Sequence, residues 1–153
     1  MPATTITWVE GMKFSAVSQS GHTVFLDAAS QAGGKNEGIR PMEMVLGALG
    51  GCTGIDVVSI LNKMRVAYTA FAIDAEGVRQ EEHPKVFREI TLNYRFDAPA
   101  EAEDKIKRAV HLSQEKYCSV SAMLAATARI KTQIFLNGSP VEVFAHAPSA
   151  GKI

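Results

Sequence analysis

The most constraining feature of the sequence is a long apolar segment, RPMEMVLGALGGCTGIDVVSILNK, at residues 40–63. Proline is favoured at the first position of a helix, as Pro41 would be, and the cationic NKMR at 62–65 suits a helix C-terminus. Apolar residues lie on every side of this helix, at Met44, Val45, Leu46, Leu49, Ile55, Val57, Val58, Ile60 and Leu61. Because a helix that is apolar all round is a buried helix, the sequence predicts one central buried helix over residues 41–63.

Such a helix is hard to cover within one chain of 153 residues. We therefore expect a homodimer that shares the helix in its core. The segment is long enough to span a bilayer, but Glu43 and Asp56 would each cost roughly 2.5 kcal/mol or more at mid-membrane. No second apolar segment of that length is present in the sequence. We predict that the protein has no membrane partner.

The segments that flank the central helix predict a mixed fold. The predicted order is three strands and a Gly-rich loop (1–40), the central helix (41–63), a strand pair (67–98), an amphipathic second helix (100–117), and a short helix and strand (118–138). The tail after residue 138 is predicted to lie on the surface. Since these helices cannot all connect parallel strands, the pattern favours a single α+β domain over 1–153 with mainly antiparallel sheets.

Charge and composition exclude several classes of function. The chain has 16 basic and 16 acidic residues, and no basic run is interleaved with aromatic residues, so we predict no nucleic-acid partner. Two cysteines do not form a disulfide framework. The N-terminus lacks the basic start and apolar core of a signal peptide. A reducing, cytoplasmic location is the resulting prediction.

The two cysteines, Cys52 and Cys118, are the candidate reactive groups. A pair of free cysteines is more often a pair of small core residues. Gly50 and Gly51, however, weaken the helix before Cys52 by about 1 kcal/mol each and permit a kink or a close approach. Asp56 lies one helical turn further on, on the same face as Cys52. Cys118 follows the second helix in a small, polar stretch, YCSVS, where a thiol can be reached.

Other constellations of reactive residues are weaker in this sequence. A metal site would combine the two cysteines with one of the histidines, but no HxxxH or CxxC spacing supports it. Those histidines are His22, His83, His111 and His146. The GxSxG motif of a serine hydrolase is absent. We therefore predict neither a bound metal nor a cofactor.

The run RPMEMVLGALGGCTGIDVVSIL, together with the second cysteine in YCSVSAML, resembles the OsmC/Ohr family and, within it, the OsmC-like branch. The order of predicted elements resembles that family over nearly the whole chain. The resemblance implies an OsmC-like α+β fold, with antiparallel sheets around a long central buried helix. It also implies an intertwined homodimer whose active sites lie at the subunit interface.

The same resemblance implies a thiol peroxidase that reduces organic hydroperoxides in the oxidative stress response. Cys52 would be the peroxidatic thiolate and would become a sulfenic acid, which Cys118 would resolve as a disulfide. An external dithiol would then reduce the disulfide. In the hydroperoxide-resistance branch of the family this reductant is a lipoyl group.

The remaining candidate site residues are Glu43, as a third catalytic residue, and Met42, Leu49 and Tyr117, as residues that bind the substrate. Organic or fatty-acid hydroperoxides are expected in preference to hydrogen peroxide, because the residues around Cys52 are apolar. Family peroxidases place a glutamate directly after the helix-opening proline, where this chain has Met42. Glu43 and Cys52 are nine residues apart, which is about two and a half turns of a helix and places them on opposite sides. They would therefore meet only through a kink or across a dimer interface.

Two further departures from the peroxidase pattern favour a rival hypothesis. Family peroxidases stabilise the thiolate with an arginine from the N-terminal strands, whereas the first arginine here is Arg40. The positive charges before it come from Lys13, His22 and Lys35, which lack the planar fork of arginine. Ser119 also follows the second cysteine, where peroxidases commonly carry proline. The rival is a non-catalytic OsmC-like dimer that binds a small apolar or thiol-bearing ligand.

Overall fold

The computed structural model describes residues 3–146. The chain divides into two compact units, Met1–Val45 and Leu46–Ile153, and the boundary between them falls inside the central helix. The assignment of one domain over 1–153 stays a prediction.

The first unit contains a three-stranded antiparallel sheet with the strands in chain order. Its strands are β1 (Thr4–Glu10), β2 (Lys13–Ser18) and β3 (Thr23–Leu26). The register places six apolar residues on one face, in the rows Ile6, Ala16, Val24 and Trp8, Phe14, Leu26. This face is left largely uncovered, since Ile6 is 59% and Trp8 62% exposed.

A polar loop connects β3 to the central helix and is organised by one aspartate. The buried carboxylate of Asp27 accepts hydrogen bonds from the backbone N–H groups of Ala28, Lys35 and Glu37, at 2.8 to 3.1 Å. These bonds, that from Glu37 above all, lower the pKa of Asp27. A side chain at Gly34 would collide with the carbonyl group of Ala28. The Gly-rich composition of the loop thus reflects close packing of its own backbone.

The central helix, α1 (Pro41–Lys63), begins and ends where the sequence predicts. At its start, the Glu43 carboxylate accepts a hydrogen bond from the Arg40 N–H at 3.0 Å, which is one half of a capping box. Within one chain a single stripe of α1 is buried, formed by Leu49, Thr53, Val57 and Leu61. On another side of the helix, Ile55 is 75% exposed. One chain therefore covers only part of this apolar helix.

The second unit contains a four-stranded mixed sheet in the order β4–β5–β6–β7. Its strands are β4 (Ala70–Arg79), β5 (Phe87–Asp97), β6 (Arg129–Leu136) and β7 (Ser139–His146). The pairs β4–β5 and β6–β7 are antiparallel, and β5–β6 is parallel. The predicted α+β class is confirmed. Residues after 138 are predicted to lie on the surface as a tail, and Ser139–His146 instead form an edge strand in which no residue is buried. Pro140 lies near the start of this strand, where a missing N–H is tolerated. The rest of the tail lies outside the described residues.

The connection from β5 to β6 carries two helices, α2 (Glu103–Leu112) and α3 (Ser119–Leu124). The sequence predicts a single helix over 100–117, and the structure corrects this at both ends. A 3₁₀ turn at Ala100–Ala102 precedes α2, and a π-helical turn at Ser113–Tyr117 follows it. The wider π turn lets two consecutive polar side chains face the core of the second unit.

The core of the second unit follows the alternation of β5 and β6, in which every second residue is buried. Buried residues pair across the parallel register, as Ile90 with Ile130, Leu92 with Thr132, Tyr94 with Ile134 and Phe96 with Leu136. The buried stripe of α1 packs on this face through Thr53, which contacts Tyr94. Length and composition alone would let α1 cross a membrane, but such helices are also common in cores, and this packing is that of a core helix.

The apolar face that the first unit leaves exposed predicts a homodimer in solution. Light scattering at micromolar concentration should give twice the chain mass of 16.5 kDa. Ile6→Lys should weaken the dimer by about a hundredfold, because an unpaired buried charge costs several kcal/mol. Thr7→Lys is the matched control, since Thr7 points to the opposite face of β1. A wild-type monomer with full helical content would contradict the prediction.

Candidate active site

The fold of the second unit brings the two cysteines together. The Sγ atoms of Cys52 and Cys118 and a carboxylate oxygen of Asp56 all lie within 4.8 Å of one another. Cys52 and Asp56 are one turn apart on α1, and Cys118 directly follows the π-helical turn. Both cysteines are free thiols. Residues 66 positions apart in the sequence thus form one cluster.

The two thiols have different surroundings. Cys118 is 3% exposed, whereas Cys52 is only half-buried. Burial raises the pKa of the Cys118 thiol to about 12, and the neighbouring Cys52 and Asp56 act in the same direction. The N–H of Ser121 donates to Cys118 Sγ at 3.3 Å and opposes the rise only partly. Cys118 is therefore a protonated thiol at neutral pH, and it needs a base before it can act as a nucleophile.

Three buried hydroxyl groups connect this cluster to the core. Tyr94 Oη lies 2.7 Å from Thr53 Oγ1, which lies 2.7 Å from Ser113 Oγ. Ser113 Oγ donates to Asp56 Oδ2 at 3.0 Å. Tyr94, Thr53 and Ser113 are all 0% exposed. Because burial raises the pKa of Tyr94, its hydroxyl group keeps its proton.

The carboxylate fixes the direction of this chain of hydrogen bonds. A carboxylate only accepts, so Ser113 donates its one hydroxyl proton to Asp56 and must accept from Thr53. Thr53 has then used its own proton and must accept from Tyr94. All three O–H groups therefore point along the chain toward Asp56.

A buried glutamine closes the inner end of the chain. Gln114 Nε2 donates to Tyr94 Oη at 2.7 Å and to Thr53 Oγ1 at 3.2 Å. Its Oε1 accepts from Ser121 Oγ at 2.7 Å. The backbone of Ser121 also donates to Cys118 Sγ, so one residue joins the network to the thiol. The polar groups of this network satisfy one another inside an apolar core.

The π-helical turn places Ser113 and Gln114 in this network. The Cys118 N–H donates to the carbonyl oxygen of Ser113 at 2.8 Å, the five-residue spacing of a π turn. The sequence reasoning missed Tyr94, Ser113, Gln114 and Ser121 as members of a site. One signal was available, because the buried stripe of α2 (Ile106, Ala109, Val110) continues into Ser113, a polar residue at a core position.

A groove of about 340 Å³ opens beside Asp56. It is lined by Asp56, Ser59, Ile60, Lys63, Met64, Leu112 and Tyr117. Its walls are mainly apolar, and Lys63 adds one positive charge. Asp56 belongs both to this groove and to the thiol cluster. The groove is therefore a route by which a molecule with an apolar part could approach the cluster.

The other predicted site residues lie in different places. Tyr117 is 50% exposed and borders the groove. Leu49 is 0% exposed and contributes to the core of one chain. Met42 and Glu43 lie in the first turn of α1, within the first unit, where Glu43 caps the helix. The roles of these four residues in binding and catalysis stay predictions.

Positive charges of the first unit have local partners. Lys13 Nζ lies 3.3 Å from a carboxylate oxygen of Glu37. The Arg40 guanidinium group donates to the carbonyl oxygen of Gly38 at 3.0 Å. In the thiol cluster of the second unit, the charged neighbour is a carboxylate, that of Asp56. A carboxylate does not provide the positive charge that the arginine of the family resemblance would provide.

The cluster lacks the ligands of a complete metal site. A tetrahedral site needs four donors, and no histidine or further carboxylate from residues 3–146 joins the two thiols and Asp56. His111, for example, lies 3.0 Å from Glu115 through one ring nitrogen and 3.0 Å from Glu142 through the other. The absence of a bound metal stays a prediction.

The network predicts that the same substitution, threonine to valine, changes the free energy of unfolding differently at Thr53 and at Thr132. Thr53→Val leaves the hydroxyl groups of Tyr94 and Ser113 without their shared partner, and should lower the free energy of unfolding by about 2 kcal/mol. Thr132→Val is the matched control, because Thr132 is also 0% exposed but its Oγ1 has no hydrogen-bond partner in the described part of the chain. It should leave the stability unchanged or raise it. Urea denaturation measures both, and equal losses would contradict the network.

Comparison with known proteins identifies the family. The profile of the OsmC-like protein family matches residues 34–133. Protein YhfA of Escherichia coli strain K12 is 42% identical over 125 residues, which cover 82% of this chain and 90% of YhfA. A hypothetical protein from Aquifex aeolicus VF5 has a TM-score of 0.75 at 29% identity, over 88% of this chain and 94% of that one.

A likeness of fold alone extends to an organic hydroperoxide resistance protein OsmC from Legionella pneumophila. Its TM-score is 0.64 at 15% identity, over 88% of this chain and 98% of that chain. These findings confirm the resemblance that the sequence carries. The chain belongs to the OsmC-like protein family.

Proposed function

We propose that this protein is a thiol-dependent reductase of organic hydroperoxides, in which Cys52 and Cys118 carry the chemistry. The observation that carries the proposal is the approach of the two thiols, whose Sγ atoms lie within 4.8 Å. A pair of free cysteines in contact, next to an ionisable side chain and a groove, is the arrangement of a reactive dithiol. The name of the Legionella pneumophila relative, an organic hydroperoxide resistance protein, supports the same activity.

In the first step, the Cys52 thiolate attacks the terminal oxygen of the hydroperoxide. The O–O bond breaks, the alkoxide takes up the proton that the Cys52 thiol lost and leaves as the alcohol, and Cys52 becomes a sulfenic acid. Cys52 is assigned this role because it is half-buried, whereas Cys118 is 3% exposed and protonated. A substrate entering from solvent can therefore reach Cys52 first.

In the second step, the Cys118 sulfur attacks the sulfenic sulfur of Cys52, and a disulfide and water form. An external dithiol, for which a lipoyl group is the proposed candidate, then reduces the disulfide by thiol–disulfide exchange. The net reaction converts a hydroperoxide and a dithiol into an alcohol, water and a disulfide. No bound cofactor is required, and a reducing cytoplasm is the compartment that fits such a transient bond.

The groove supports organic hydroperoxides as substrates. Ile60, Met64 and Leu112 provide apolar walls for a hydrocarbon chain, which hydrogen peroxide lacks. Lys63 lies seven residues beyond Asp56 on α1, or about 10 Å along the helix axis. A fatty-acid hydroperoxide could therefore place its carboxylate at Lys63 and its peroxide group near the thiols.

A homodimer is part of this proposal. One chain leaves an apolar face of β1–β3 and part of α1 exposed, including Ile55. Association of two chains would cover these surfaces. The proposed contributions of Met42 and Glu43 to substrate binding and catalysis belong to that assembly, whereas Leu49 is already buried within one chain.

Consumption of cumene hydroperoxide in the presence of a dithiol tests the function. Wild-type protein should turn over, with kcat/KM at least about tenfold higher for cumene hydroperoxide than for hydrogen peroxide, since one or two buried methylene groups already contribute that factor. Cys52→Ser should abolish consumption. Cys118→Ser is the matched control, which should still consume about one equivalent when the dithiol is left out, because Cys52 is intact.

A different result would favour the rival hypothesis. If folded wild-type protein with two reduced thiols consumes no hydroperoxide, the reductase proposal is wrong. Retention of a small apolar or thiol-bearing ligand on purification would then support a non-catalytic binding protein.

A further inference from the structure

We propose that Asp56 is a catalytic residue that carries a proton from the Cys118 thiol to the hydroxyl group leaving Cys52 as the disulfide forms. The inference rests on the proposed function and assigns the base that its second step requires. Neither the family resemblance nor the predicted site residues include this aspartate.

The second step needs a base next to Cys118. Burial raises the pKa of this thiol to about 12, so its thiolate is scarce at neutral pH, and at 3% exposure bulk water has little access to it. Within residues 3–146, the titratable groups that act on it are Cys52 and Asp56 from α1 and Tyr94 from β5. Cys52 is the electrophile in this step, and Tyr94 keeps its own proton. Asp56 is the group that remains.

The position of Asp56 suits a transfer between the two sulfur atoms. One of its carboxylate oxygens lies within 4.8 Å of both Sγ atoms. Ser113 donates to Oδ2 and so holds the orientation of the carboxylate. Two further groups, Lys63 of α1 and Tyr117 of the π turn, face Asp56 from the groove. The carboxylate thus belongs both to the thiol cluster and to the lining of the groove.

The buried chain of hydroxyl groups keeps the proton at Asp56. Tyr94, Thr53 and Ser113 each donate toward the carboxylate, and the chain begins at the Gln114 amide. A proton on Asp56 therefore cannot pass to Ser113 and on into the core, because the hydroxyl groups of Ser113, Thr53 and Tyr94 all donate toward Asp56. Buried polar groups are costly unless fully paired, and this fully paired set is directed at a single carboxylate.

The atoms and electrons of the step balance. The Cys118 S–H bond breaks and its proton moves to the Asp56 carboxylate. The sulfur lone pair forms the S–S bond with Cys52, whose S–O bond breaks. The leaving hydroxide takes the proton from Asp56, water departs, and the carboxylate is regenerated.

Asp56→Asn tests the shuttle, because the Asn amide oxygen can still accept from Ser113 but cannot carry the proton. Reduced protein is mixed with one equivalent of cumene hydroperoxide, quenched with acid at intervals, and disulfide formation is followed by mass. The wild-type rate should vary less than about threefold between pH 6 and pH 8. The Asp56→Asn rate should be roughly a hundredfold lower at pH 7. It should also rise about tenfold per pH unit, since the thiolate must then form by equilibrium with solvent.

Two controls separate the possible outcomes. Asp56→Glu keeps a carboxylate and should restore a rate that is nearly independent of pH. Trapping with dimedone in the Cys118→Ser background reports sulfenic acid at Cys52, with Asp56 present or replaced by Asn. If sulfenic acid forms at Cys52 but the rate of disulfide formation in Asp56→Asn does not depend on pH, whatever its size, proton transfer through Asp56 is wrong. The proposed function then stands. If no sulfenic acid forms at Cys52, both are wrong.

Discussion

The contact on which the site depends is the hydrogen bond between Thr53 and Tyr94. Thr53 lies in the only stripe of α1 that one chain buries, and Tyr94 lies on the core face of β5. Neither hydroxyl group has access to water, so each needs a partner within the core. Their pairing fixes the rotation of α1 on the sheet. That rotation brings Cys52 and Asp56, the residues on either side of Thr53 along the helix, toward the π turn and Cys118.

The geometry of the site therefore depends on hydrogen bonds between polar side chains inside an apolar core. The apolar stripe alone would tolerate small rotations of α1, because apolar contacts are not directional. Thr53 bonds to Tyr94, Ser113 and Gln114, which come from two other elements. A carboxylate held at the end of such a network gives the thiol pair a fixed acceptor of protons. It supplies no positive charge, unlike the arginine that the family resemblance implies.

The sequence predicted those parts of the fold that depend on local pattern. The bounds of α1 followed from Pro41, the apolar run and the cationic NKMR, and β4 and β5 lie within the strand pair predicted over 67–98. The sequence also singled out Cys52, Cys118 and Asp56 before the structure placed them together. Their approach could not be derived from spacing, since it depends on packing between α1 and a segment more than sixty residues away.

Other features were beyond local pattern. In the π-helical turn at Ser113–Tyr117, Ser113 and Gln114 have hydrogen-bond partners on α1 and β5. Strand β7 was missed because Pro140 and its short, polar start are typical of a tail, whereas the edge of a sheet tolerates both. In each case a tertiary partner decided the local structure, and a single sequence does not reveal that partner.

The most direct test of the account is a peptide map of the protein after one equivalent of an organic hydroperoxide. Both free thiols of each chain should disappear, with a loss of two hydrogens and a peptide linked through Cys52 and Cys118. A dithiol should restore both thiols. Two thiols that remain free would contradict the central claim, as would a Cys52 oxidised to sulfinic acid beside a reduced Cys118.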